Sequence, residues 1–87
     1  MKKAVGLYKK AANGGDIESM TNLAICYEKG EGVEKDLKKA VGLYQKAADG
    51  GCAIAYFNLG VCLIRGIGVK EDRASGEKWI KKYFDST

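Results

Sequence analysis

Three cysteines, Cys26, Cys52 and Cys62, are the side chains in this sequence best suited to covalent or metal chemistry. The chain contains no histidine, so no thiol can be activated by an imidazole base and no imidazole can bind a metal. The cysteines are 26 and 10 residues apart, which is not the close pairing of a zinc site. An odd count leaves at least one thiol unpaired in a monomer. We expect three reduced, structural cysteines.

A second candidate feature is the pair of glycine motifs Gly30-x-Gly32 and Gly66-x-Gly68, which could bind phosphate as glycine-rich loops. They lack a preceding strand, a third glycine and the Gly-Lys-Ser/Thr ending of a P-loop, so we interpret them as turns. The acidic residues between 16 and 36 are explained as helix caps and solvated positions. We therefore predict a protein that is not an enzyme and has no catalytic residue, no cofactor and no metal site.

A duplicated block sets the architecture. Residues 2–15 recur as residues 38–51, with twelve of fourteen positions identical at an offset of 36 residues. The repeat continues through seven further identities, Asn22, Leu23, Cys26, Gly30, Gly32, Val33 and Asp36, which reappear 36 residues later. A fixed period of this length is typical of stacked repeat proteins, which usually act as binding surfaces.

Each unit is predicted to be a helix, a glycine-rich turn and a second helix. Asp16 and Asp36 are suitable N-caps, and Gly30 and Gly50 mark the helix ends. Apolar residues recur at helical spacing between these signals. Small residues, Ala24 or Gly60 on the first helix and Ala40, Ala47 and Ala48 on the second, are expected to let the helix axes approach closely. Gly6 and Gly42 also lie in the middle of predicted helices, where we expect them to permit a close backbone contact.

The pattern Leu59-Gly60-x-x-Leu63-x-x-Gly66-x-Gly68-Val69-x-x-Asp72 resembles the Sel-one-like repeat (SLR), a relative of the tetratricopeptide repeat. The segment from Leu23 to Gly51 shows the same resemblance, which covers essentially the whole chain. It implies an all-α fold, a right-handed αα superhelix of about five helices that scaffolds protein complexes. We predict one domain, residues 1–87, divided into an incomplete repeat (1–15), a full repeat (16–51) and a divergent one (52–87).

Composition narrows the partners and the compartment. The net charge of +4 is mild and spread along the chain, and no nucleic-acid motif accompanies it. No apolar run approaches the length of about 20 residues that spans a bilayer, and Lys9 and Lys10 interrupt any signal-peptide core. We expect a cytoplasmic protein that binds a protein partner, and neither nucleic acid nor membrane.

The divergence between the two first helices indicates where a partner would bind. By analogy with tetratricopeptide superhelices, the first helix of each unit lines the concave face. In the earlier unit that face is mostly polar, and in the later unit it is mostly apolar. The candidate contacts are Thr21, Ile25 and Glu28, with Glu18 and Lys29 beside them, and Ile54, Phe57, Val61, Ile64 and Arg65.

Two interpretations of the apolar stripe formed by Ile54, Phe57, Val61 and Ile64 remain open. It docks a peptide or partner helix, or it is covered within the protein by the last helix or by a second copy. The last helix is expected to fold over the last helix pair through Trp79, Ile80, Tyr83 and Phe84, with an exposed aromatic anchor for a partner as the alternative. At the N-terminal end, Val5, Tyr8 and Ala11 are expected to be uncovered on one side. This predicts either a fragment of a longer repeat array or an open end that pairs with another molecule, including a second copy of the chain. The predicted function is an adaptor or scaffold, and the alternative is a regulatory subunit or inhibitor of one enzyme.

Overall fold

The computed structural model describes residues 2–86, and the side chains of residues 4–86. Within residues 2–86 all regular structure is helical: α1 Lys2–Asn13, α2 Ile17–Lys29, α3 Leu37–Asp49, α4 Ala53–Arg65 and α5 Arg73–Asp85. Each helix packs on the next one along the chain, giving a body of 36 × 24 × 16 Å. The predicted all-α solenoid is confirmed.

The helix boundaries follow the local signals. Asp36 Oδ1 accepts a hydrogen bond from the Lys39 backbone N–H at 3.1 Å, and Asp72 Oδ1 does the same for Ser75 at 3.1 Å. Gly30 and Gly66 end α2 and α4 in the left-handed conformation, with φ of 72° and 69°, which glycine adopts without steric cost. Asp16 differs, because its carboxylate accepts from the Ser19 hydroxyl and not from a backbone N–H.

Small buried residues bring the helices together. The main core is made almost entirely of alanine and aromatic or aliphatic residues of α2, α3 and α4, with Tyr44 and Leu59 as its largest fully buried side chains. Ala24, Ala40 and Ala47 are completely or almost completely buried. A second cluster contains Val5, Ala12, Leu23 and Cys26 and ties α1 to α2.

The prediction about Gly6 and Gly42 is wrong. Both are exposed, and a Cβ atom placed on either would meet nothing within 4 Å. The close backbone approach occurs where α4 crosses α5, at Gly60, where it was expected, and at Gly76. A Cβ on Gly76 would lie 2.6 Å from the carbonyl oxygen of Gly60. The sequence position of a glycine within a helix does not reveal which face the neighbouring helix covers.

The three cysteines are free thiols, as expected. Cys26 and Cys62 are buried and Cys52 is half-buried at the start of α4. Burial, together with the nearby Glu28 carboxylate, raises the pKa of the Cys62 thiol to about 11. Burial also raises the pKa of Cys26, with a smaller contribution from Glu31. A high pKa and low exposure both suppress thiolate chemistry.

We therefore expect Cys52 to react first with iodoacetamide when the folded protein is treated at pH 8. Cys26 and Cys62 should react only as fast as the protein unfolds. Peptide mass spectrometry over a time course measures the three rates, and a urea-unfolded sample, in which all three thiols are exposed, is the control. Equal rates in the folded protein would show that the buried positions are wrong.

Candidate protein-binding surface

The candidate residues of α4 share one side of that helix. At about 100° per residue, positions 54, 57, 61, 64 and 65 fall within a stripe roughly 100° wide. Ile54 is 59% exposed and Phe57 is 39% exposed. Val61 and Ile64 are half-buried, and Arg65 is exposed. The N-terminal half of the stripe is thus open to solvent, and its C-terminal half is partly covered.

Ile64 is covered by α5. A Cβ on Gly76 would lie 2.7 Å from Ile64 Cγ1, so the backbone of α5 passes directly over this side chain. Ile80 fits against Gly60 in the same crossing. The side chain of Ile64 therefore contributes to the α4–α5 packing.

Phe57 contacts α5 as well, but only with part of its ring. The ring centroids of Phe57 and Tyr83 are 5.2 Å apart at an interplanar angle of 57°, an arrangement that favours aromatic pairs. Trp79 packs on Tyr56 with ring centroids 5.6 Å apart and a smaller interplanar angle of 31°. The last helix therefore covers α4 with Trp79, Ile80 and Tyr83, while the side chain of Phe84 is 62% exposed.

The candidate residues of α2 are less accessible. Thr21 is 3% exposed, and its hydroxyl lies 3.3 Å from both the carbonyl oxygen of Ile17 and Sγ of Cys52. Ile25 is half-buried against the main core. Glu18 and Lys29 are exposed. The structure brings α2 and α4 together at Thr21 and Cys52, but it leaves little of Thr21 or Ile25 for a partner.

Glu28 has a partner within the protein. Its Oε1 accepts a hydrogen bond of 2.6 Å from the hydroxyl of Tyr44, whose side chain is fully buried. Burial, followed by the hydrogen bond and the charge of Glu28, holds the pKa of Tyr44 far above its usual value. In the second unit the equivalent pair is Ile64 and Ile80. A polar pair and an apolar pair thus occupy the same position in the two units.

The residues that remain accessible are Ile54, Phe57, Val61 and Arg65, which we call the α4 surface. It offers two large apolar side chains one turn apart and a cation at its end. Among the described residues there is no group of three or more His, Cys, Asp or Glu side chains that could hold a metal. The described side chains also include no buried polar atom without a hydrogen-bond partner. The α4 surface is suited to contact by shape and apolar burial.

In α1, the apolar residue exposed to solvent is not one of those predicted to be uncovered. Val5 is buried, and Tyr8 and Ala11 are half-buried. The exposed large apolar residue of α1 is Leu7, at 65%.

Sequence reasoning missed one feature, a cleft over the ring of Tyr27. Lys9 Nζ lies 6.0 Å and Lys39 Nζ 5.5 Å from the centroid of that ring. The sequence did contain a signal for this cleft, because both lysines are replaced one repeat later. Lys9 aligns with Gln45, at one of the two mismatches in the duplicated block, and Lys39 aligns with Ser75.

A family model described as the Sel1 repeat matches residues 1–16, 17–52 and 53–82. Two of the similar solved structures are a Sel1 repeat protein from Oxalobacter formigenes, at 31% identity and a TM-score of 0.94 over 99% of this chain, and c5321, a protective antigen of uropathogenic Escherichia coli with an SLR fold, at 38% identity and a TM-score of 0.89 over 91%. A third is the Helicobacter pylori cysteine rich protein B, at 27% identity and a TM-score of 0.88 over 93% of this chain.

The chain spans 35%, 17% and 61% of the lengths of these three proteins. None of the curated proteins compared with the chain matches it. Among the described residues, every helix is too short or too polar to cross a membrane.

Proposed function

Because the chain belongs to the Sel1 repeat family, we propose that it is an adaptor or scaffold module whose α4 surface docks a helix or extended peptide of a partner protein. Sel1 repeats are in general non-enzymatic protein–protein interaction modules. The proposal adds a location and a mode of binding to that general role. We also propose that the protein acts in the cytoplasm, and that its partner is neither a nucleic acid nor a membrane.

The exposure of Ile54 carries the proposal. A side chain of this size, 59% exposed on a helix whose opposite side is buried, leaves most of its apolar surface available to a partner. Phe57 lies one turn further on and Val61 one turn beyond that, which is the spacing of anchors that meet a helix or an extended peptide. Arg65 would contribute at the rim of the interface, where a charged group changes the association rate more than the affinity.

Ile54→Ser tests the docking surface without disturbing the core. Because Ile54 is exposed, we expect the free energy of unfolding to stay within about 0.5 kcal/mol of that of the unsubstituted protein. Retention of partner proteins from an extract of the source cells should fall strongly, since truncation of a central apolar anchor commonly weakens binding by about 2 kcal/mol or more.

Leu7→Ser is the matched control, since Leu7 is similarly exposed on α1 and outside the proposed surface. It should retain the same partner proteins as the unsubstituted protein, apart from a second copy of this chain, whose binding is tested separately below. Equal retention by Ile54→Ser and Leu7→Ser would reject the α4 surface as the docking site.

Self-association is a separate proposal for the N-terminal end, now centred on Leu7. Light scattering over a concentration series tests it. A dimer that Leu7→Ser dissociates would support self-association, and a monomer at all concentrations would reject it.

A further inference from the structure

A cleft of about 490 Å³ opens over the ring of Tyr27, between α1, α3 and the loop that joins α2 to α3. We call it the Tyr27 cleft. Its lining includes Lys9 from α1, Lys35 from the loop and Lys39 from α3, with Val33 as an apolar wall. A second hollow, which contains Lys46, Leu23 and Leu43, shares Lys9, Tyr27 and Lys39 with it.

The Tyr27 cleft carries an excess of positive charge. Two carboxylates line it, those of Glu34 and Asp36. Asp36 already accepts from the Lys39 backbone N–H through its Oδ1 atom. The ammonium groups of Lys9 and Lys39 approach one aromatic ring from two different helices. Cations near an aromatic face are stabilised individually, but they repel each other, and an anion between them would offset that repulsion.

The position of the cleft separates it from the α4 surface and from the candidate residues of α2. Tyr27 and Ile25 are two residues apart in one helix, which places them about 200° apart around its axis. The backbone fixes the cleft, because the Asp36 N–H donates to the Tyr27 carbonyl at 2.9 Å and closes the loop over the end of α2. The lysines of α1 and α3 therefore meet at a defined place.

We propose that the Tyr27 cleft binds the phosphate group of a phosphorylated residue in a partner protein. A phosphate ester carries close to two negative charges at pH 7 and three acceptor oxygens, which suits several lysine ammonium groups better than one carboxylate would. The cleft is much larger than a phosphate group, and the adjoining hollow with Leu23 and Leu43 offers apolar surface for the residues that flank the phosphorylated one. The binding surface is compact, unlike the extended basic stripe that follows a nucleic-acid backbone.

The second repeat provides an internal comparison. At the equivalent positions Lys9 becomes Gln45, Tyr27 becomes Leu63, Lys35 becomes Glu71 and Lys39 becomes Ser75. The same loop closes there, with the Asp72 N–H donating to the Leu63 carbonyl at 2.7 Å. The fold of this corner therefore does not depend on the lysines or on the aromatic ring.

The test uses substitutions that the chain already tolerates in its second repeat, Lys9→Gln together with Lys39→Ser. The probe is the N-acetyl, N-methylamide derivative of phosphoserine, titrated at pH 7 and constant ionic strength while the NMR signals of Tyr27 and Val33, which line the cleft and are present in every variant, are followed. We expect saturable shifts for the unsubstituted protein and at least about tenfold weaker binding for the double variant, because two charge-assisted contacts are lost.

Lys70→Gln together with Lys81→Gln is the control, because it removes the same charge from exposed positions outside the cleft and should bind the probe normally. The corresponding serine and glutamate derivatives should give no saturable NMR shifts. Unsaturable shifts, or equal loss in both double variants, would show only diffuse attraction to lysines and would overturn the proposal. Equal affinity for inorganic phosphate would overturn the assignment to a phosphorylated protein segment.

Discussion

Gly76→Ala is expected to destabilise the protein, although alanine is the better helix former. The new Cβ would lie 2.6 Å from the carbonyl oxygen of Gly60 and 3.1 Å from the backbone nitrogen of Ile64, and neither backbone atom can rotate away. Overpacking of this kind costs about 1–3 kcal/mol, while the gain in helix propensity is at most about 1 kcal/mol. Crowding should therefore prevail, and thermal or urea unfolding measures the net change.

Gly42→Ala is the matched control, since Gly42 also lies within a second helix of its unit but faces open space. It should stabilise the protein by about 0.5–1 kcal/mol. In a domain of this size, 1 kcal/mol shifts Tm by roughly 4–8 °C, so the two alanine variants should melt on opposite sides of the unsubstituted protein. Stabilisation by both would show that α4 and α5 do not cross closely.

Tyr44→Phe is expected to destabilise the protein by about 1.5–3 kcal/mol, because a hydrogen bond to a charged acceptor is lost. The lost bond is the 2.6 Å contact between the Tyr44 hydroxyl and Glu28, and the remaining carboxylate is half-buried. Tyr8→Phe is the control, since Tyr8 holds the equivalent position in α1 and is half-buried. A smaller effect at Tyr44 than at Tyr8 would contradict the proposed hydrogen bond.

Burial of Tyr44 and Cys62, with the Glu28 carboxylate as the next cause, predicts alkaline sensitivity. The folded protein holds the protons of Tyr44 and Cys62 more tightly than the unfolded chain does, because both pKa values are raised. The stabilisation is fully present below the unfolded pKa values, 9.0 for the thiol and 10.0 for the phenol, and stability falls as the pH rises above them. Urea unfolding between pH 7 and 11 should show this decline, and Tyr44→Phe should flatten the part above pH 10.

The helices and their ends could be predicted from the sequence because they depend on local signals. Asp36 and Gly30 act within a few residues of their own positions, and the duplicated block repeats them in phase. Gly6 and Gly42 could not be interpreted in this way, because the space around a mid-helix glycine depends on which helix passes it in three dimensions. Gly60 was expected to allow close approach, but Gly76 was not, because it meets Gly60 only through the α4–α5 crossing, which no local signal specifies.

The candidate binding residues also depend on contacts that local sequence signals do not specify. The exchange of Glu28 for Ile64 was interpreted as a change of binding surface, since only one position of each pair was compared. The structure supplies the other half of the exchange, because Tyr44 changes to Ile80 at the contacting position. Divergence between repeats therefore has two sources, adaptation to a neighbouring helix and adaptation to a partner. The exposure of a divergent residue distinguishes the two sources, and on this criterion Ile54 and Phe57 are the strongest candidates for contact with a partner.

Site-specific photo-crosslinking tests the central proposal most directly. A photoreactive phenylalanine placed at Ile54, and in a parallel variant at Leu7, would be irradiated in extract of the source cells. We predict a discrete crosslinked protein band from position 54, lost when Phe57→Ser is added, and no corresponding band from position 7. The same bands from both positions, or none from position 54 while position 7 crosslinks, would contradict docking on the α4 surface.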